Sequence, residues 1–413
     1  MTPPFDLFAP DFFADPNPLL HRLRTEDPVH WSEQLRGWVV TPFADVEAIL
    51  KDTARFSSDR VAKIIWTQVP DPDPPTIARY VDILSPFLGF CDDPQHTRAR
   101  SLLHRVFTPQ AIATLEPHVQ RMVDMVIQRL VDKPELDGFL DLAATIPTLA
   151  ICELVGAPTS DMHTYRAWVL DIIRLLGGTK LSPEDAKRCE QSAVALHDYL
   201  LDICKQRRAE PREDLISRML AADGANAFEL KYLASIALEL IGAGLTVVDQ
   251  FGNGLVALLR NPEQRDALLA DPSLWDGAVS EMIRAESSVV LVARIARTAV
   301  ELHGKRIQPG DLVFVSTTAA AHDPAIYADP DRFDIQRRDN GRVDPRPISF
   351  GTGPHICLGA YLGRLELKVG LRAVFERLPG LRLAGAVEWR QDSALFHGPR
   401  KVPLVRDVAA RAA

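Results

Sequence analysis

The chain has no excess of positive charge. Across 413 residues, 47 lysines and arginines face 55 aspartates and glutamates, for a formal charge of −8. That excludes a general nucleic-acid binder, which needs a basic surface to displace counterions. Cysteine is scarce and scattered. Cys91, Cys152, Cys189, Cys204 and Cys357 are an odd set of five with no C-x-x-C pair, so neither a disulfide framework nor a zinc cluster is expected. The opening MTPPFDLFAPDFF has no basic segment followed by an apolar run, and no secretion signal is expected. No internal repeat and no low-complexity linker divides the chain, which reads as a single domain over residues 1–413. H-E-x-x-H, G-x-x-x-x-G-K-S/T and G-x-S-x-G do not occur. G-x-G-x-x-A at 252–257 lies inside a helical run with no strand before it, so it carries no dinucleotide reading.

What is present is ordinary for a soluble globular protein: 46% hydrophobic and 25% charged residues. A chain of this length can bury a large core and an internal ligand. Its most apolar stretch, 230–248, contains Lys231 and Glu239, which disfavours a membrane span. A reduced, cytoplasmic protein is expected, with no nucleic-acid or membrane partner.

Periodicity predicts helices at 17–26 and 43–51, with short strands at 29–31 and 37–40 between them. Residues 61–90 read as irregular, because the DPDPP run at 71–75 breaks regular structure. From Pro94 to about Arg207 the pattern is helical, and the run Lys205–Arg208 reads as a solvated helix end. The longest helical pattern, 227–260, is apolar nearly all round except Glu239 and Asp249, as befits a helix in the middle of a core. At 1.5 Å per residue it would run roughly 50 Å. A helix at 275–286, strands at 289–300 and 306–317, an irregular stretch at 318–350 and a helix at 358–378 complete the reading. The class is mainly α with a minor β region (α+β).

The sharpest local signal is Ser349-Phe-Gly-Thr-Gly-Pro-His-Ile-Cys-Leu-Gly359. Gly351, Gly353 and Gly359 surround Cys357 on a loop that runs into a helix. Glycines allow positive φ and close approach of a bulky planar group. A helix N-terminus offers free N–H groups that stabilise a thiolate. A single protected thiolate is what a haem iron requires of an axial cysteine. The alternative is a buried inert cysteine beside a glycine turn, which is the preferred reading for the other four cysteines.

Here the chain resembles the cytochrome P450 family, whose pattern Phe-x-x-Gly-x-x-x-Cys-x-Gly is met by Phe350, Gly353, Cys357 and Gly359. The resemblance implies a triangular, mostly helical haem-thiolate fold holding haem b, with Cys357 as the metal ligand and Phe350, Gly351 and Gly359 beside it. It implies propionate contacts from His96 and Arg100 in an H-x-x-x-R segment, from Arg294, and from His355. It makes Glu281 and Arg284 a buried structural pair with a further partner from the segment before the cysteine. Arg98 falls on a different face from His96 and Arg100 and is expected to face solvent.

In the long helix, Gly242 and Ala243 fall on the family's small pair and Thr246 on its threonine, while Leu245 replaces the acid. Glycine inside a helix costs about 1 kcal/mol relative to alanine, so Gly242 and Gly244 ask for a reason. Space for a ligand is one, and close helix packing is the other. Asp249 and Gln250 are candidates to support a water chain in place of the missing acid. The resemblance implies a monooxygenase with Thr246 catalytic. It also implies an organic substrate in a pocket drawing on Gly242, Ala243, Leu245, Val290, Leu291 and Phe396. Dioxygen and electrons from a ferredoxin or flavodoxin with its reductase complete the reaction, the donor docking near Arg100, His104 and Arg105. A monomer is expected. The missing acid motivates a second reading, atypical oxidation such as peroxide-driven oxygenation, coupling or nitration. A haem sensor is a third.

Overall fold

The computed structural model describes residues 5–178, 180–223, 228–244, 246–338 and 347–407. Helices dominate, and most start where local chemistry caps them. Thr108, Ser182 and Asp73 each accept a hydrogen bond from a backbone N–H of the following turn, with proline just inside the helix. The helix Pro183–Ala209 packs on both Met162–Leu176 and Leu230–Gly244.

One five-stranded sheet joins the two strand-rich parts of the chain. Its order is Val29–Ser32, Gly37–Val40, Leu312–Ser316, Leu291–Ala296 and Phe56–Ser57. Gly37–Val40 and Leu312–Ser316 run parallel, and the remaining pairs are antiparallel. At Gly37 a Cβ would lie 2.8 Å from the Leu312 carbonyl oxygen, so only glycine permits that pairing. All of Leu312–Ser316 is buried, which explains its unbroken apolar sequence.

The core is crossed by Leu230–Gly244 and Thr246–Arg260. Against the second lies Ala360–Arg377, and the contact is close: a Cβ at Gly370 would sit 2.4 Å from the Phe251 ring. Phe251 is fully buried in this seam, and Leu255 is fully buried beside Gly138. Truncating Leu255 to alanine there is expected to cost about 2–5 kcal/mol. This seam fixes the cysteine-bearing segment against the long helix.

Several expectations need correction. Residues 61–90 are not irregular; they form helices Val61–Gln68 and Pro74–Leu84 and a tight turn at Leu88–Phe90. The prolines at 74 and 75 start the second helix, since proline is tolerated in a first turn. The long helix begins at Leu230, and Ala227 and Leu245 lie outside the described residues. The strand expected over 289–300 is Leu291–Ala296, followed by a separate hairpin, Val300–Leu302 with Lys305–Ile307, turned at His303-Gly304 with positive φ. Gly310, also at positive φ, then restricts the strand expected over 306–317 to Leu312–Ser316. The stretch from 318 begins inside a helix, Thr317–Ala321, and 339–346 lie outside the described residues. Arg207 is not solvated. It is buried in an ion pair with Asp214 and donates to the Gly156 carbonyl at 2.9 Å. Two apolar helical stretches, Gly138–Val155 and Leu230–Arg260, are long enough to cross a membrane by length and composition, and both are largely buried inside the fold.

Candidate active site

Gly351 and Gly353 adopt φ of 71° and 72°, a region that favours glycine. At Gly353 a Cβ would also meet the Leu50 carbonyl oxygen at 2.9 Å. These two turns bring Cys357 back so that its N–H donates to the Phe350 carbonyl at 2.9 Å. The helix then starts at Ala360. Cys91, Cys152, Cys189 and Cys204 are buried, and burial pushes their thiols up to about 12, 12, 11 and 12. They are inert packing residues. Cys357 alone among the five has open surface, and that surface faces an internal cleft. Burial raises its thiol too, while the Gly359 amide hydrogen bond and the Arg100 charge pull against that rise. A thiolate here therefore calls for a cation on the open side of the sulfur.

The cleft has about 330 Å³ of room, walled by Leu240, Ala243, Gly244, Thr246 and Val247 on the long helix and by Phe350, Gly351, Cys357 and Gly359 on the cysteine segment. Arg100 and Arg294 line it as well. Arg294 is buried, donates to the Ala293 carbonyl at 2.9 Å, and is pulled down to about 10 by burial. Arg100 donates through Nε to His104 at 3.1 Å. His96 is buried with no partner for Nε2, and its ring lies 4.0 Å from that of His355. Burial, with neighbouring cations, lowers both histidines, His355 to about 3. An apolar cleft, a cysteine on one wall and a set of uncompensated donors match the apolar ring, the iron and the two carboxylates of haem. The residues present fit that group.

His355 is engaged within the chain. Its Nδ1 donates to the Leu88 carbonyl at 3.0 Å and its Nε2 accepts from Ser58 Oγ at 3.1 Å. Both nitrogens are engaged, so it braces the loop over the cleft instead of offering a free donor. Arg98 is exposed and lies 3.9 Å over the Phe228 ring.

On the long helix, Thr246 Oγ1 donates to the Ala243 carbonyl at 2.7 Å. Leu245 lies outside the described residues. The structure explains one of the two glycines. A Cβ at Gly244 would collide with Ile151 at 2.5 Å, so Gly244 serves helix packing, whereas at Gly242 the nearest atom is 3.9 Å away. Gly242 does not line the cleft. Neither Asp249 nor Gln250 is available for a water chain. Asp249 is buried between Arg390 at 3.3 Å and Arg400 at 2.6 Å. Gln250 donates to the carbonyls of Met282 and Glu286 and accepts from Ser288 N–H.

The remaining pocket residues divide. Leu291 and Phe396 line a second chamber of about 300 Å³, which shares Val289 and Val292 with the cleft. Val290 lines neither. It is buried, and its N–H donates to the Leu395 carbonyl at 2.9 Å.

Three ionisable groups were not anticipated. Glu239 lines the cleft, accepts from the N–H groups of Leu88 at 2.7 Å and Gly89 at 3.0 Å, and is pushed up to about 7 by burial. A charge at the centre of an apolar helix was the available signal. Glu366 is buried between the cleft and a surface groove, and burial raises it to about 8. Arg60 lines the second chamber and had no sequence signal at all.

Glu281 and Arg284 form a two-bond pair at 2.8 Å, both buried. Arg337 adds bonds of 3.1 and 3.2 Å to the same carboxylate, and Arg284 also donates to the carbonyls of Ala321 and Pro330.

The family model described as Cytochrome P450 matches residues 268–379. Cytochrome P450 107B1 of Saccharopolyspora erythraea is 34% identical over 412 residues, covering 97% of this chain and 97% of that protein. The vitamin D(3) 25-hydroxylase of Pseudonocardia autotrophica is 34% identical, covering 98% of this chain and 96% of its own. The crystal structure of CalO2 aligns with a TM-score of 0.87 and 32% identity, over 98% of this chain and 99% of that one.

Proposed function

This chain belongs to the cytochrome P450 family, and from that premise we propose that it inserts one oxygen atom of dioxygen into a small, largely apolar organic molecule, working as one cytoplasmic domain. When bound, haem b supplies the iron that activates dioxygen, with Cys357 as its thiolate ligand. The observation that carries the reading is the accessible Cys357 facing an apolar cleft whose two arginines, Arg100 and Arg294, make no salt bridge among the described residues.

Each residue has a definable task. Gly359 N–H stabilises the sulfur as an anion. Arg100, Arg294 and His96 hold the two propionates, and His355 fixes the covering loop. Thr246 directs its O–H at the Ala243 carbonyl, so its oxygen presents lone pairs and can orient a water over the cleft. Leu240, Ala243, Val247 and Val292 form an apolar wall that excludes bulk water and accepts hydrocarbon. Electrons come from a ferredoxin or flavodoxin that meets the exposed His104 and Arg105 and the half-buried Arg100. The named activities of relatives, such as 6-deoxyerythronolide B hydroxylase, support a setting in biosynthesis.

A second reading is favoured by one feature. Leu245 stands where the family has an acid, and Asp249 one turn on is bound to Arg390 and Arg400. Proton supply next to Thr246 is therefore weak, which favours peroxide as the oxygen source. The test compares product formed with ferredoxin, reductase and dioxygen against product formed with hydrogen peroxide. Faster partner-driven turnover supports monooxygenation, and turnover with peroxide alone supports the second reading. A reduced carbon monoxide spectrum without the thiolate signature would reject both.

A further inference from the structure

Arg60 has unused donors at the wall of a chamber. Its Nη1 donates to the carbonyls of Ser58 at 2.8 Å and Gly89 at 2.6 Å. Its guanidinium lies 4.4 Å over the Phe90 ring, which fixes the plane. Among the described residues Nε and Nη2 have no hydrogen bond, and no carboxylate pairs with the guanidinium. The three nearest acids are otherwise engaged or distant. Asp92 is held by Ser57, Ser58 and Arg297, Glu239 by two amides, and Asp59 acts only through space. Burial pulls the Arg60 guanidinium down to about 9, with Arg294 adding to the effect.

The place it faces is the second chamber, whose walls are Phe90, Leu291, Leu395 and Phe396 and whose exposed rim carries Arg36 and Lys180 against Glu33. Val289 and Val292 connect this chamber to the cleft beside Cys357. The Nε–Nη2 edge is the side of a guanidinium that meets both oxygens of one carboxylate. We infer that Arg60 anchors a carboxylate on the substrate, so that the molecule oxidised is an elongated apolar acid reaching past Val292 into the cleft. This rests on the function proposed above and narrows its substrate class.

The test uses the haem-loaded enzyme with decanoate and decanamide, which differ in charge but little in shape. Binding is followed by calorimetry and by the haem spin-state shift. Decanoate is expected to bind the wild type roughly tenfold or more tighter than the amide, the scale of a charge-assisted two-bond contact. Arg60→Met is expected to retain haem content and to lose that preference. Arg60→Lys keeps a cation that cannot bridge two oxygens and is expected to show an intermediate preference; it also serves if the methionine variant does not fold. Equal binding of acid and amide by the wild type, or an undiminished preference in Arg60→Lys or Arg60→Met, would overturn the inference. So would loss of haem from Arg60→Met with the preference intact, which would make Arg60 a haem contact. A wild type without a haem-thiolate spectrum would instead reject the proposed function, and the calorimetric preference would still decide the role of Arg60.

Discussion

Two buried charge clusters in this molecule have opposite states of completion. Around Glu281, every strong donor and acceptor is matched from within the chain: Arg284 pairs with two bonds, Arg337 adds two more, and the Asp334 amide donates at 2.9 Å. Around the cleft, Arg294 has one carbonyl and His96 has an orphaned Nε2, and in the adjoining chamber the half-buried Arg60 has an unused edge. Burying charge is costly in both places. The first cluster offsets that cost within the fold, whereas the second leaves it for a ligand to offset. A matched cluster of this kind is structural, and an unmatched one in a cavity marks a binding site.

The largest expected effect is at the sulfur. Cys357→Ser should abolish the reduced carbon monoxide signature of thiolate ligation while the far-ultraviolet circular dichroism stays helical. A protein with unchanged absorption would remove the basis for the function. Next is the matched cluster. Arg284→Met leaves Glu281 buried with only Arg337, and is expected to cost about 3–5 kcal/mol in denaturant unfolding of the haem-free protein. Arg294→Met should do the reverse. It removes an unpaired buried cation, so the haem-free protein should be as stable as wild type or more so, while haem dissociates roughly tenfold faster or more, by about the 1.4 kcal/mol that one charge-assisted contact supplies. If both variants destabilise the haem-free chain alike, the contrast between the clusters fails.

The contrast also shows what could be read from the letters. The placing of Cys357 and Thr246 on one cleft and the pairing of Glu281 with Arg284 were legible because they depend on local spacing along a loop or a helix face. The helices Asn17–Glu26 and Phe43–Lys51 were legible for the same reason. Arg60 was not, and Glu239 showed only as a charge in an apolar helix, since what each holds is set by contact with the Leu88–Phe90 turn, and Arg60 lies 29 positions away from Gly89. The turn itself was hidden because prolines that start a helix and prolines that break one look alike in sequence. Asp249 was misread for a related reason. Position on a helix does not reveal which way a carboxylate finds its arginine, and Arg390 and Arg400 come from the far end of the chain.

The histidines give a prediction with a definite sign. Burial depresses His355 to about 3 and lowers His96, against an ordinary histidine value of 6.5. Below 6.5 the unfolded chain therefore binds more protons than the folded one, so the haem-free protein loses stability as pH falls from about 6.5 toward 3. Above 6.5 both states are neutral at these sites and no contribution remains. Haem carboxylates facing His96 would favour its charged form, so the acid loss should be shallower in the holoprotein. Unfolding midpoints at several pH values, with and without haem, check this. Parallel profiles would show that His96 does not meet the propionates.

The smallest effect concerns Glu239, whose carboxyl is raised to about 7 by burial and holds the Leu88 and Gly89 amides. As pH rises through about 7 the group loses its proton, and both hydrogen bonds become charge-assisted and stronger. The turn that Glu239 grips is also the turn whose Gly89 carbonyl meets Arg60 and whose Leu88 carbonyl meets His355. Hydrogen exchange at Leu88 and Gly89, corrected for its intrinsic pH dependence, should thus show protection increasing across pH 6–8. In Glu239→Gln, which keeps an acceptor but cannot ionise, protection should be flat. A rising profile in that variant would assign the change to another group and separate the covering turn from the carboxyl beneath it.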